Sequence, residues 1–111
     1  MGTYTRDSGT LFTLTNNTTG TVFDIDATKI RAFSVNYTII RDFVYRTGTM
    51  IVATDVGDSS LGITSSDDYV ENGTTGITLT ADQAGDIVSF DYTATNTGNN
   101  GTISYSITYL A

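Results

Sequence analysis

The sequence predicts an all-β chain that folds as a single β-sandwich, jelly-roll-like, with about eight or nine short, mainly antiparallel strands. Apolar and polar residues alternate with a period of two along several segments, as expected for strands with one buried face. The chain has seven tyrosines, five phenylalanines and no proline, and glycine and asparagine separate the alternating segments. Its 111 residues suit one domain.

Three segments, residues 33–39, 88–94 and 103–109, have the clearest alternation and are predicted strands. In each of them the apolar side chains fall on every second residue, which indicates that one face of the strand packs against a core. Weaker strand candidates lie between the strong ones, at residues 11–15, 21–25, 44–54, 68–70 and 76–80. Residues 1–10 are interpreted as an extended N-terminal arm, so the sandwich domain spans residues 11–111.

Turn-forming residues indicate how these strands connect. The Asn72-Gly73 pair predicts a hairpin, because both residues tolerate a positive φ. Residues 96–101 are expected to join the last two strong strands as a second hairpin. Gly48 interrupts an otherwise continuous strand candidate and indicates a β-bulge or a close approach of another backbone.

Composition excludes several classes of function. The chain has no Cys and no His, so disulfides, thiolate metal sites and histidine-based catalysis are excluded. Five basic residues against twelve acidic ones give a net charge of −7, which disfavours nucleic acid and anionic membranes as partners. Residues 1–7 lack the apolar core of a signal peptide, and no apolar run is long enough to cross a bilayer.

Four short strings carry a resemblance to a known group of proteins. They are RAFSVNYTIIR (31–41), YRTGTM (45–50), DYVE (68–71) and GTISYSITYL (101–110). In this order they resemble a small β domain of structural proteins in tailed-bacteriophage virions, and the resemblance covers residues 30–110. It implies a homotrimer on the outer surface of the virion that binds the major capsid protein or another virion protein. A capsid decoration, or cement, protein that stabilises the shell is the favoured expectation. The alternative is a receptor- or glycan-binding tip domain of a tail fibre.

Arginines and tyrosines are the candidates for a subunit or partner interface. The candidate interface residues are Arg31, Arg41, Arg46, Tyr69, Tyr105 and Tyr109. The arginines lie on or beside two candidate strands expected to be neighbours, where they could pair with Asp42 or Asp91, or hold carboxylates of a partner in a planar fork. The tyrosines are expected mostly to fill the core or a subunit interface. Tyr69, in an acidic region, is the candidate for ligand contact.

The acidic residues raise two further hypotheses. Those between residues 55 and 71 could supply oxygen ligands to calcium, but their spacing does not match an EF-hand, and solvated loop carboxylates are favoured. Paired carboxylates could hydrolyse glycosides only across a cleft, for which a sandwich of this size has little volume. We therefore expect no enzymatic activity, no cofactor and no bound metal. Under the fibre-tip alternative, loops 55–68 and 96–101 would contact glycans.

Overall fold

The computed structural model describes residues 10–54 and 63–110 of the chain. These residues form eight strands in two packed antiparallel sheets, which confirms the predicted all-β sandwich. The strands are β1 (Thr10–Leu14), β2 (Thr18–Asp26), β3 (Ala32–Arg41), β4 (Val44–Ala53), β5 (Thr64–Glu71), β6 (Ile77–Ala84), β7 (Ile87–Ala94) and β8 (Gly101–Tyr109). The described residues contain no helix that is long and apolar enough to cross a membrane.

The two sheets differ in width. The larger has five strands in the order β1-β8-β3-β4-β5, and the smaller has three in the order β2-β7-β6. The pairs β1–β8 and β2–β7 are nested, as in a jelly roll. The chain departs from that pattern where β3, β4 and β5 form a meander within the larger sheet.

The core contains the alternate residues that the period of two predicts. Phe33 and Ile39 on β3, with Val88 and Phe90 on β7, are completely buried between the sheets. The Phe23 ring of β2 stacks on the Phe90 ring with 4.8 Å between centroids. Burial of these large apolar side chains makes the largest favourable contribution to the stability of the sandwich.

Both predicted hairpins are wrong. The segments at Asn72-Gly73 and at residues 96–101 cross from one sheet to the other, because β5 and β6, like β7 and β8, lie in different sheets. Asn72 instead extends the pairing of β4 with β5. Its backbone N–H donates to the Tyr45 carbonyl at 3.2 Å, and its Oδ1 accepts the Tyr45 N–H at 2.8 Å. Asn72 thus provides hydrogen-bond partners for the backbone at the end of the β4–β5 pairing, and it does not form a tight turn.

Two expectations from the sequence fall partly on residues that the structure does not describe. Of the predicted N-terminal arm, Thr10 begins β1, and residues 1–9 lie outside the described residues. Of the candidate calcium ligands, Asp55 and Asp58 also lie outside them.

Candidate binding surface and cleft

The outer face of the five-stranded sheet is almost uncharged. The residues facing away from the core on β3 are Ala32, Ser34, Asn36, Thr38 and Ile40. Opposite them on β4, in register, are Ala53, Ile51, Thr49, Thr47 and Tyr45. The outward residues of β1, β5 and β8 continue the same composition: Leu11, Thr13, Thr64, Ser66, Asp68, Val70, Thr102, Ser104, Ser106 and Thr108. Asp68 is the single charged residue on this face within the five strands.

Apolar side chains are exposed among the hydroxyl groups of this face. Leu11, Ile40, Tyr45, Ile51 and Val70 are each more than half exposed. Clustered exposed apolar groups rimmed by small polar ones are typical of interaction surfaces. The hydroxyl groups can donate and accept hydrogen bonds across an interface, and depletion of charge lowers the cost of removing water from it. We call this surface the uncharged face.

The outer face of the three-stranded sheet has the opposite character. Its strands contain Asp24, Asp26, Asp82 and Asp91 and no basic residue. Thr28 donates hydrogen bonds to the Asp26 carboxylate from both its hydroxyl and its backbone N–H, at 2.6 and 2.9 Å, and these bonds lower the pKa of Asp26. These carboxylates concentrate negative charge on the outer side of the smaller sheet, so the two sides of the sandwich differ strongly in charge.

A cleft opens where the wider sheet extends beyond the narrower one. The inner sides of β4 and β5 form one wall, and β6 with the segment before it forms the other. The cleft has a volume of about 360 Å³. It is lined by Arg46, Asp67, Tyr69, Glu71, Thr74, Thr75, Gly76, Ile77, Thr78, Leu79 and Thr95. We call it the Arg46 cleft.

The guanidinium of Arg46 is buried beside two aromatic rings. The side chain is 6% exposed, and its Cζ lies 4.5 Å from the Tyr69 ring centroid and 5.8 Å from that of Tyr37. Gly48 leaves the room for this arrangement, because a β-carbon there would lie 2.5 Å from the Tyr69 Cβ. The close backbone approach predicted at Gly48 is therefore confirmed. Arg46 Nε and Nη2 have no hydrogen-bond partner among the described residues.

A partly buried tyrosine–aspartate pair in the same region forms no hydrogen bond with Arg46 Nε or Nη2. The Tyr37 hydroxyl donates to Asp67 Oδ1 at 2.7 Å. Burial, followed by this hydrogen bond, raises the pKa of Tyr37 well above its ordinary value, so the phenol stays protonated. Asp67 thus accepts a hydrogen bond from a neutral phenol, while the Arg46 cation is stabilised through its faces by aromatic rings.

Arg41 is buried in the interior, where it links three connecting segments. It is 2% exposed. Its Nε donates to the Asn99 carbonyl at 3.1 Å, Nη1 to the Thr75 carbonyl at 3.1 Å, and Nη2 to the Thr95 carbonyl at 2.6 Å and to Asn16 Oδ1 at 2.7 Å. Because Thr75 and Thr95 also line the Arg46 cleft, Arg41 fixes one wall of that cleft.

The expected ion pairs of the arginines with Asp42 and Asp91 are not formed. Asp42 accepts a hydrogen bond from Asn99 Nδ2 at 2.7 Å, and Asp91 accepts one from Thr21 Oγ1 at 2.8 Å. Arg41 bonds to neutral carbonyl and amide oxygens instead, because three chain crossings leave carbonyl groups without strand partners at its end of β3.

The other three candidate residues lie away from the cleft. Arg31 is exposed at the start of β3. Tyr109 pairs in register with Phe33 near the same end of the sheet and is more than half exposed. Tyr105 is partly buried and stacks on Phe23, with 5.1 Å between ring centroids. The six sequence candidates therefore do not form one surface: Arg46 and Tyr69 share the cleft, and Arg41 supports its wall.

Sequence reasoning missed the uncharged face as a unit. The sequence does indicate this face, because the polar residues that alternate with the apolar ones on β3, Ser34, Asn36 and Thr38, carry no charge. The described residues contain no group of three or more acidic side chains placed to hold a metal ion. Asp67 and Asp68 are consecutive residues of β5, so their side chains point to opposite faces of the sheet.

Comparisons with known proteins assign the chain to no family. No protein-family model matches it, and neither the curated proteins nor the solved structures contain a significant match.

Proposed function

We propose that the chain is a structural virion protein of a tailed phage, located on the outer surface of the particle. In this proposal it self-associates as a trimer through the uncharged face and decorates the capsid by binding capsid subunits. It acts by adhesion and not by catalysis. The resemblance of residues 30–110 to virion β domains supports this, and so does the compact sandwich fold with its uneven distribution of charge.

The observation that carries the proposal is the contrast between the two outer faces. Chains with a net charge of −7 repel one another. This repulsion is smallest when two chains meet through the uncharged face, because Asp68 is the one charged residue on that face of the five strands. The acidic face of the smaller sheet remains in water, where its charge favours solubility.

The dimensions of the uncharged face suit a contact shared among several copies. Five strands spaced ~4.8 Å apart, with ~3.3 Å per residue along each, give a footprint of roughly 600 Å². A single face-to-face contact would bury about 1,200 Å² in total, the lower limit for specific interfaces. Around a threefold axis each face contacts two neighbours, and three chains joined in this way bind a lattice with the added avidity of linked sites.

Shell stabilisation follows from binding to the assembled state. A trimer that bridges capsid subunits adds contacts that must be broken before the shell opens, so it stabilises the closed shell by mass action. Residues 1–9, which precede β1 in the sequence, are the proposed capsid contact.

Imaging of particles tests this function directly. Particles assembled with the chain should carry extra density at symmetric positions on the outer surface, and particles from a gene deletion should lack it. The purified chain should also bind empty, expanded capsids at a stoichiometry set by the lattice. Identical surface density in both kinds of particle would contradict the proposal.

The Arg46 cleft favours a second candidate function, that of a receptor- or glycan-binding tip domain on a tail fibre. Tyr69 is 42% exposed at this cleft and offers an aromatic surface to a ligand. A tip domain should bind host cells and compete with infection, whereas a decoration protein should bind capsids and ignore cells.

A further inference from the structure

We propose that the Arg46 cleft binds an acidic sugar, with the sugar carboxylate held by Arg46. The cleft opens on the inner side of the five-stranded sheet, whereas the uncharged face lies on the outer side, so the site is independent of the proposed self-association. The proposal deepens the second candidate function by naming its ligand class, and it rests on that function for the biological source of the sugar.

The guanidinium of Arg46 has one unpaired edge. Arg46 Nε and Nη2 are buried and without a hydrogen-bond partner among the described residues. These two nitrogens form one edge of the planar group, the edge that grips both oxygens of a carboxylate through parallel hydrogen bonds. No carboxylate of the described residues forms an ion pair with Arg46, and its side chain is 6% exposed. A buried donor pair of this kind gains most from an anionic ligand.

The Tyr69 ring controls access to this edge. Both nitrogens are closed off from solvent, so a ligand reaches them through a local movement. The Tyr69 ring lies against the guanidinium, 4.5 Å from Cζ to centroid, and is 42% exposed. It is on the edge strand β5, where no further strand of the described residues restrains it. Rotation of this ring uncovers Arg46 and presents an aromatic surface to the ligand.

The lining and volume of the cleft favour a sugar over a peptide. Asp67 and Glu71 line the cleft and can accept hydrogen bonds from the hydroxyl groups of a sugar. Arg46 is the one cation in this lining, so the cleft suits a ligand with a single negative charge better than an acidic peptide with several. Ile77 and Leu79 provide apolar surface for the C–H face of a sugar ring. The volume of about 360 Å³ is at the small end of ligand pockets, ~300–1,000 Å³, and suits a mono- or disaccharide.

The test is an NMR titration of the labelled full chain with glucuronic acid, with glucose as the neutral match. Glucuronic acid should shift the Arg46 Nε–H resonance and the Tyr69 ring signals in a saturable manner, and glucose should not. Arg46→Lys keeps the positive charge but lacks the two parallel N–H donors, so it should weaken binding about tenfold or more. Arg31→Lys, on the exposed surface, should leave the affinity unchanged.

Three results would overturn the proposal. They are equal responses to glucuronic acid and glucose, unchanged affinity in Arg46→Lys, and tighter binding of an acetylated glutamate dipeptide than of glucuronic acid. The wild-type titration decides the question even if Arg46→Lys folds poorly. Sedimentation of the same samples reports self-association separately, so failure of the sugar site and failure of the assembly proposal are distinguishable.

Discussion

Replacement of Arg41 by methionine removes the internal link between three chain crossings. The side chain is 2% exposed, and four of its hydrogen bonds are 3.1 Å or shorter. A hydrogen bond from a charged donor contributes ~1.5–3 kcal/mol, and a buried acceptor left without a donor costs ~1–3 kcal/mol. Loss of the guanidinium also removes its own cost of burial. The expected net loss in the free energy of unfolding is about 3–5 kcal/mol.

Urea unfolding followed by circular dichroism measures this loss. A domain of this size has a total stability of ~5–15 kcal/mol, and with a urea dependence of ~1–3 kcal/mol/M the midpoint should fall by about 2 M. Arg31→Met is the matched control, because Arg31 is exposed, and it should change stability by less than ~0.5 kcal/mol. If the free energy of unfolding of Arg41→Met is within ~1 kcal/mol of that of the natural chain, the hydrogen bonds of Arg41 do not stabilise the fold to this extent.

Two further predictions concern the support of the Arg46 cleft. Gly48→Ala places a β-carbon 2.5 Å from the Tyr69 Cβ, so we expect a loss of ~1–3 kcal/mol in urea unfolding. Gly73→Ala should lose much less stability, because its added β-carbon meets the Val44 methyl groups at 3.4 Å. Equal losses of stability in the two variants would refute the close approach at Gly48. Folding raises the pKa of Tyr37, so its contribution to the free energy of unfolding is fully present below pH ~10, the pKa of an unfolded tyrosine. Above that pH the contribution is lost, by at most ~1.4 kcal/mol per pH unit. Tyr37→Phe should remove this alkaline dependence, and unfolding curves from pH 8 to 11.5 that fall equally in both chains would contradict it.

The strands and the core could be predicted from sequence because their signal is local. The alternation of Phe33, Val35 and Ile39 with polar residues defines β3 and its buried face without knowledge of its neighbours. The connections could not be predicted in this way. Asn72-Gly73 looks like a hairpin turn, but which strands it joins depends on the packing of the two sheets.

The cleft was only partly predictable. The close approach at Gly48 could be predicted and is confirmed. Tyr69, 42% exposed at the cleft, remains a predicted ligand contact. Burial of Arg41 and Arg46 was not anticipated, since arginine is rarely fully buried. Most partners of Arg41 are far along the chain, with Thr95 54 residues away, so no local pattern indicates them.

Sedimentation equilibrium of the purified chain is the most direct test of the claim that the uncharged face is the association surface. The natural chain should have three times its 11.9 kDa mass, and the double change Ile51→Glu and Val70→Glu on that face should reduce it to the mass of one chain. Ile87→Glu introduces the same charge on the acidic face, at an exposed position, and should leave the trimer intact. A natural chain that is monomeric at tens of micromolar, or a double variant of unchanged mass, would contradict the account.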